Sequence, residues 1–317
     1  MKVVSLFSGC GGLDLGLIQA GHEIIWANDI DVDAVATYSL NIGSHIIHSP
    51  IEEIPSSLIP DCDIVIGGFP CQGFSQANLL RFESDTRNKL YLEFLRVILD
   101  KQPAYFIAEN VRGILSLAGG NAIKKIEEDF TSAGYRVKKK LFNVVDYGVP
   151  QNRWRVIIVG IRQDLPEHYD YSFPLPTHAN SKKNKDDSFR PWVVIGNALA
   201  DIPEPEEEHG LPNHIYSKYK VTNRNFTGHR ATDPEKPSPT ILARGNGKGG
   251  VCAIQHPLNH RRMSIREQAI IQTFPLRFEF IGGMNSCYRQ VGNAVPVLFA
   301  KHLGEMLPKT ADYRRHT

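Results

Sequence analysis

The chain predicts an α/β fold: a mostly parallel, doubly wound sheet joined to a smaller irregular lobe. Three observations carry that expectation. Short apolar runs alternate with helix-like stretches through the first half, which is the pattern of a sheet covered by helices on both faces. From about Ser172 the texture changes, with proline, asparagine, lysine and histidine frequent and periodicity weak. At 317 residues, 42% hydrophobic and 22% charged, the chain has the length and composition for one large core plus a second lobe.

The elements follow in order. Residues 2–7 form a short apolar strand, and residues 13–20 place Leu13 and Leu17, with Ile18 and Ala20, at helical spacing before Gly21 supplies a stop. Residues 23–27 read as a strand and residues 31–40 as a helix with Asp31 as its cap. A third strand-like run covers 63–67, and Leu90, Phe94, Leu95, Val97 and Ile98 make an apolar stripe on a helix. Residues 104–108 read as a strand, 122–133 as a helix, and 136–145 and 156–162 as strands. The resulting division is 1–171 for the main domain, 172–257 for the irregular lobe, and 258–317 for a segment returning to the main domain. In that last segment Ser264 and Glu267 have capping-box spacing, and the helix they open should end near Thr273, before Phe274-Pro275. A final helix should pack Val295, Leu298, Phe299, Leu303 and Met306 against the main domain.

Several classes are disfavoured. No apolar run approaches the roughly 20 residues that span a bilayer. The first strand begins almost at once, so no signal peptide is expected. Five cysteines without paired spacing argue for a reducing compartment rather than a disulfide framework, and no Cys/His spacing suggests a metal site. A cytoplasmic protein is expected. Net charge is only +2, but Lys138-Lys139-Lys140, the lysines near 182–185 and the stretch 218–230 are locally basic. Solvated loops explain most such runs, although basicity confined to one face would suffice for phosphate contacts.

The chemistry centres on Cys71, within Gly67-Gly68-Phe69-Pro70-Cys71-Gln72-Gly73-Phe74-Ser75. It follows apolar Ile64-Val65-Ile66, as a reactive group at the end of a strand does. Pro70 fixes its own φ and biases Phe69 toward extended geometry, which aims the sulfur. A free cysteine alone is commonly an inert core residue, so context decides. Apolar Tyr105-Phe106-Ile107-Ala108 runs into Glu109-Asn110-Val111, placing a carboxylate at another strand end. Gln151-Asn152-Arg153-Trp154-Arg155 precedes a β-branched run, with Arg153 and Arg155 expected on the same side of an extended chain.

With Phe7-Ser8-Gly9-Cys10-Gly11-Gly12 near the start and Gln290-Val291-Gly292-Asn293-Ala294-Val295-Pro296 near the end, these segments, in this order, resemble the bacterial DNA (cytosine-5) methyltransferase family of the restriction-modification type. The resemblance implies a Rossmann-like, S-adenosylmethionine-dependent methyltransferase domain and a target-recognition lobe. It implies a cytosine rotated out of duplex DNA, because carbon 6 is unreachable inside the stack. Cys71 would add to that carbon and make carbon 5 nucleophilic. Glu109 would contact N3 and the exocyclic amine and donate a proton to N3, which burial or hydrogen bonding to the neutral carboxyl favours. Arg153 and Arg155 would supply positive field, with Arg153 holding Glu109 or the cytosine carbonyl.

The implied cofactor pocket takes Phe7, Gly9, Cys10, Gly11, Gly12, Asp29, Ile30, Ile51, Pro70, Leu90, Asn293 and Ala294. Asp29 would accept from ribose hydroxyls, and Ile30 would offer an apolar wall. Where the family has an aspartate for the adenine amine, this chain has Pro50, so Ser49 or a backbone carbonyl must serve and weaker cofactor binding is expected. Gln72, Ser75 and Arg81 after the cysteine, and Arg224, Asn225, Arg230, Arg244 and Asn246 in the irregular lobe, are the candidate DNA contacts. Double-stranded DNA is the expected partner, a cognate restriction endonuclease is functionally linked, and a monomer is expected. Three rivals remain open: the tRNA-methylating branch of the family, disfavoured by the large lobe and the absence of a Cys-Phe-Thr motif; a catalytically silent DNA-binding homologue; and a nucleotide-dependent oxidoreductase, which leaves the Pro-Cys and Glu-Asn-Val segments unexplained.

Overall fold

The computed structural model describes residues 1–69, 89–182, 184, 186–218, 232–243, 254–258 and 261–309. Its centre is a seven-stranded sheet. The strands are β1 (Lys2–Leu6), β2 (Glu23–Asp29), β3 (Ile46–His48), β4 (Ile64–Gly67), β5 (Tyr105–Val111), β6 (Tyr135–Asn143) and β7 (Trp154–Arg162), in the spatial order β3-β2-β1-β4-β5-β7-β6. The first five pair in parallel. β7 enters between β5 and β6 and runs antiparallel to both.

Alternation along each central strand sorts its side chains between two cores. Val3, Ile64, Ile66, Tyr105, Ile107, Ile157 and Val159 face one side, where they meet helix α1 (Gly12–Gln19), Tyr38 of α2 (Val32–Asn41) and the C-terminal helix. Val4, Leu6, Val65, Phe106, Ala108, Val156 and Ile158 face the other, against α3 (Lys89–Lys101) and α4 (Asn121–Ser132). Both faces of the strands are therefore buried, and they read as near-continuous apolar runs. Asp31 caps α2 as expected, accepting from the amides of Asp33 and Ala34.

The remaining described elements are a two-stranded pair, β8 (His178–Ala179) and β9 (Arg190–Pro191), and the helices α5 (Ile195–Leu199), α6 (Ile265–Ile271), α7 (Met284–Asn293) and α8 (Val297–Glu305). Ile195, Leu199, Ile241 and Ile254 share a core with Met263, Ile265 and Ala269 of the 263–271 region and with Cys287, Tyr288 and Val291 of α7. The Ser264–Glu267 capping box forms at the start of α6. Glu267 and Glu204 also both grip Arg261, at 2.7 and 2.8 Å, joining residues 204 and 261–267.

The Lys138-Lys139-Lys140 run lies on edge strand β6, within the strand expected over 136–145; Lys138 pairs with Asp170 at 2.5 Å, Lys139 pairs with Glu127, and Lys140 lies over the Phe142 ring. Charge on an exposed edge discourages strand addition. The last helix buries Phe299, Ala300 and Leu303, while Val295 precedes it and Met306, 37% exposed, follows it. β3, α5 and α7 have no counterpart in the elements expected from the sequence.

Candidate active site

The sheet order reverses at β1, with β2 on one side and β4 on the other. Ligands of open α/β sheets bind outside the carboxyl ends of the strands at such a point. Here a cleft of about 690 Å³ opens there. Of the predicted cofactor residues, Phe7, Gly9, Cys10, Gly12, Asp29, Ile30, Leu90, Asn293 and Ala294 line it.

The turn between β1 and α1 builds one wall. Phe7, Gly9 and Gly11 all have positive φ (55°, 55° and 87°), so the backbone coils tightly before the helix begins. Among the described residues no side chain caps α1 at Gly11, and the first turn of the helix, Gly12 to Asp14, lines the cleft. Gly11 itself faces away from the cleft: a Cβ there would lie 2.2 Å from Ile42 Cδ1. At Gly12 a Cβ would come within 2.4 Å of the Val295 carbonyl oxygen, which is how the segment carrying Asn293 and Ala294 can close on the turn.

Asp29 fastens this wall. Its Oδ2 accepts from the Gly9 amide at 2.7 Å and its Oδ1 from the Asp31 amide at 2.8 Å, and burial raises its pKa. Ile51, only 2% exposed, belongs to the apolar cluster against which Phe7 packs and does not line the cleft. Pro50 opens a 3-10 turn, and neither it nor Ser49 lines the cleft. The Ser49 carbonyl accepts from Asn28 Nδ2 at 3.1 Å and its hydroxyl donates to the Pro50 carbonyl.

The opposite wall is built by β4, β5 and β7. Glu109 is the fifth residue of β5 and forms an ion pair with Arg155, the side chains being 13% and 11% exposed. Both line the cleft. A Cβ on Gly68 would lie 3.0 Å from Glu109 Oε2, so the chain leaving β4 passes directly beside the carboxylate. Asn110 holds it there: Nδ2 donates to the Phe69 carbonyl at 3.0 Å, and Oδ1 accepts from the Val111 amide at 2.9 Å.

Arg153 precedes β7, which begins at Trp154, and among the described residues no hydrogen bond joins it to Glu109, although the Glu109 charge still acts on it. Arg153 is fully buried and donates to the carbonyls of Ile241 (2.8 Å), Gly292 (2.9 Å) and Ala294 (3.0 Å). Burial, with Arg155 nearby, holds its pKa well below the usual guanidinium range. Gln151 acts beside it, donating to Gln272 Oε1 and accepting from the Ile241 amide.

Two cleft residues went unnoticed in the sequence. Asp14 is fully buried on α1, its carboxyl held up at about 6 by burial, and it accepts from the Tyr38 hydroxyl at 2.9 Å. A charged residue between Leu13 and Leu15 is the signal that could have found it. Arg289 lines the cleft from α7 and pairs with Asp31 at 2.7 Å. Cys71, Pro70, Gln72, Ser75, Arg81, Arg224, Asn225, Arg230, Arg244 and Asn246 lie outside the described residues. Among the described residues no group of three or more His, Cys, Asp or Glu could hold a metal ion, and no helix is long and apolar enough to cross a membrane.

A family model described as C-5 cytosine-specific DNA methylase matches residues 1–309. Similar curated proteins include the Type II methyltransferase M.NgoFVII of Neisseria gonorrhoeae, 39% identical over 93% of this chain and 83% of that protein. Another is the Type II methyltransferase M.BsuRI of Bacillus subtilis, 36% identical over 95% of this chain and 78% of that protein. Among solved structures, the S. pombe Dnmt2 methyltransferase shares the fold with a TM-score of 0.70 at 20% identity, covering 96% of this chain and 97% of that one.

Proposed function

Because the chain belongs to the C-5 cytosine-specific DNA methylase family, we propose that it methylates carbon 5 of a cytosine within a specific duplex sequence, as the modification enzyme of a restriction-modification system. The resemblance to Type II methyltransferases across nearly the whole chain supports the restriction-modification setting. The observation that carries the chemistry is the Glu109–Arg155 pair beside the Gly68-Phe69 turn, two residues before Cys71 and in the same cleft as the glycine turn.

The cleft fits S-adenosylmethionine: open space at Gly9, uncapped helix amides and the Asp29 carboxylate offer the close approach, donors and acceptor that a charged nucleoside needs. When bound, it supplies the electrophilic methyl group. The chain's residues do the rest. Extrusion of the cytosine costs a few kcal/mol. The Cys71 thiolate bonds to carbon 6, and Glu109 delivers a proton to N3, so the ring electrons are pushed onto carbon 5 and not left as charge on nitrogen. Arg155 keeps the Glu109 carboxyl aimed at the ring edge. After carbon 5 is methylated, water removes its proton, the C5–C6 double bond reforms, the Cys71 sulfur leaves as thiolate and the N3 proton returns to Glu109.

Duplex DNA carrying 5-fluorocytosine at the target tests this reading, because fluorine does not leave as a proton does. With S-adenosylmethionine present, a denaturation-resistant protein–DNA adduct mapped to Cys71 is expected, and none with Cys71→Ala. Normal methylation of unmodified duplex without any adduct on the fluorinated one would exclude the covalent route. Methylation of tRNA in place of duplex DNA would move the protein to the rival branch. Bisulfite sequencing of plasmid from expressing cells would give the recognition sequence.

A further inference from the structure

Trp154 is 41% exposed at the start of β7, and beside it Val111, at the end of β5, is 48% exposed. The Arg112 guanidinium lies over the Trp154 indole, its Cζ 5.6 Å from the ring centroid. Arg112 forms no ion pair among the described residues. The exposed indole and the guanidinium stacked on it together present an aromatic and cationic surface to solvent.

Its position says what it meets. β7 runs antiparallel to β5, so the start of β7 and the end of β5 lie at the end of the sheet where the cleft opens; Val111, Gly113 and Arg155 line the cleft, and Arg112 and Trp154 are their chain neighbours just outside its lining. In that ladder Val111 lies opposite Arg155, and Arg155 Nη1 also donates to the Trp154 carbonyl at 2.8 Å. The guanidinium that pairs with Glu109 thus also fixes the backbone carrying the indole.

We propose that Trp154 and Arg112 form a contact for the DNA strand beside the extruded cytosine: the indole stacks on a neighbouring nucleotide and the Arg112 guanidinium binds its phosphate. The inference rests on the DNA methylase reading of this cleft. An aromatic face with a cation is the combination that grips nucleic acid without regard to sequence, since every base has a stacking face and every nucleotide a phosphate. The pair therefore adds affinity for any duplex and leaves choice of sequence to other residues. It would hold the strand next to Glu109 while the base is displaced.

The test uses the full-length protein and a duplex carrying the recognition sequence, with S-adenosylhomocysteine, the demethylated cofactor, for binding and S-adenosylmethionine for KM. Trp154→Ala should weaken duplex binding, and raise KM for DNA, by about five- to a hundred-fold, the range for loss of one stacking contact. Trp154→Phe should stay within about threefold of wild type. Arg112→Ala should reduce the slope of log affinity against log salt by about 0.9, one phosphate contact. Arg112 is exposed, so the thermal midpoint of Arg112→Ala should match wild type, while Trp154→Ala removes a partly buried indole and is compared with Trp154→Phe at matched folded fraction. Should Trp154→Ala misfold, the Arg112→Ala salt slope carries the test. If wild type methylates duplex DNA while both variants bind it with unchanged affinity and slope, this inference is overturned and the proposed function stands. If wild type neither binds nor methylates duplex DNA, the proposed function fails and takes this inference with it.

Discussion

The Asp14 carboxyl sits under the glycine turn with the Tyr38 hydroxyl against it, and Asp29 is close enough to add unfavourable charge. Burial raises it from 3.8 to about 6, with hydrogen bonds from Ser5 and Tyr38 pulling the other way. A carboxyl with a raised folded pKa binds its proton more tightly in the folded state. Its favourable contribution is therefore present below about pH 4 and lost as pH rises to about 6, on the order of 3 kcal/mol in all. Asp14→Asn carries no charge and keeps an acceptor for Tyr38. It should match wild type near pH 4 and become more stable than wild type by up to about 3 kcal/mol by pH 7. Urea unfolding of both proteins at several pH values measures the gap; one that stays constant from pH 4 to 7 would show that Asp14 does not titrate as described.

At the scale of elements, α1 and α8 are brought together by small residues. A Cβ on Gly16 would lie 2.3 Å from Ala300 Cβ and 2.6 Å from the Lys301 amide nitrogen, and one on Gly304 would lie 2.8 Å from Ala20 Cβ. Helix propensity alone would make Gly16→Ala stabilising by roughly 1 kcal/mol. Here the overpacking penalty, typically about 1–3 kcal/mol or more, opposes it, because a backbone atom cannot swing aside. Gly16→Ala should therefore lower the urea midpoint, and a raised midpoint would refute the close α1–α8 contact. Most elements of the sheet were legible in the sequence because their apolar runs are bounded by Gly or polar turns, as at Gly21 and Asp31. The three-residue β3 and five-residue α5 are too short to establish a period. The insertion of β7 between β5 and β6 was not legible either, since strand order is set by packing over the whole sheet and not by local pattern.

At the scale of the molecule, two arginines separated by one residue do different things. The place of Glu109 at a strand end was readable because an apolar run leads into it, while its proposed role as the acid came from the resemblance of Glu109-Asn110-Val111. The division of labour between Arg153 and Arg155 was not readable, because it depends on where β7 begins and on carbonyls some 90 and 140 residues away. Arg153 joins the turn before β7 to Ile241 on one side and to Gly292 and Ala294 on the other, so one guanidinium satisfies three buried carbonyls from distant segments. Arg153→Met would take that donor from the Ile241 and Gly292 carbonyls, at about 1–3 kcal/mol each, while Ala294 keeps its bond from Gln272 Nε2, and should destabilise the protein by about 2–6 kcal/mol. Asn293 and Ala294 line the cleft next to its contacts, so cofactor affinity should fall with it. Arg155→Met strips the largely buried Glu109 carboxylate of its partner and should cost roughly 3–5 kcal/mol of stability. Its turnover should also drop by two orders of magnitude or more, the usual contribution of a positioned acid or base. Urea unfolding, calorimetric cofactor binding and single-turnover methylation on the two variants separate these roles. An Arg153→Met protein as stable as wild type would remove the clasp, and an Arg155→Met protein at full rate would remove Arg155 from the chemistry.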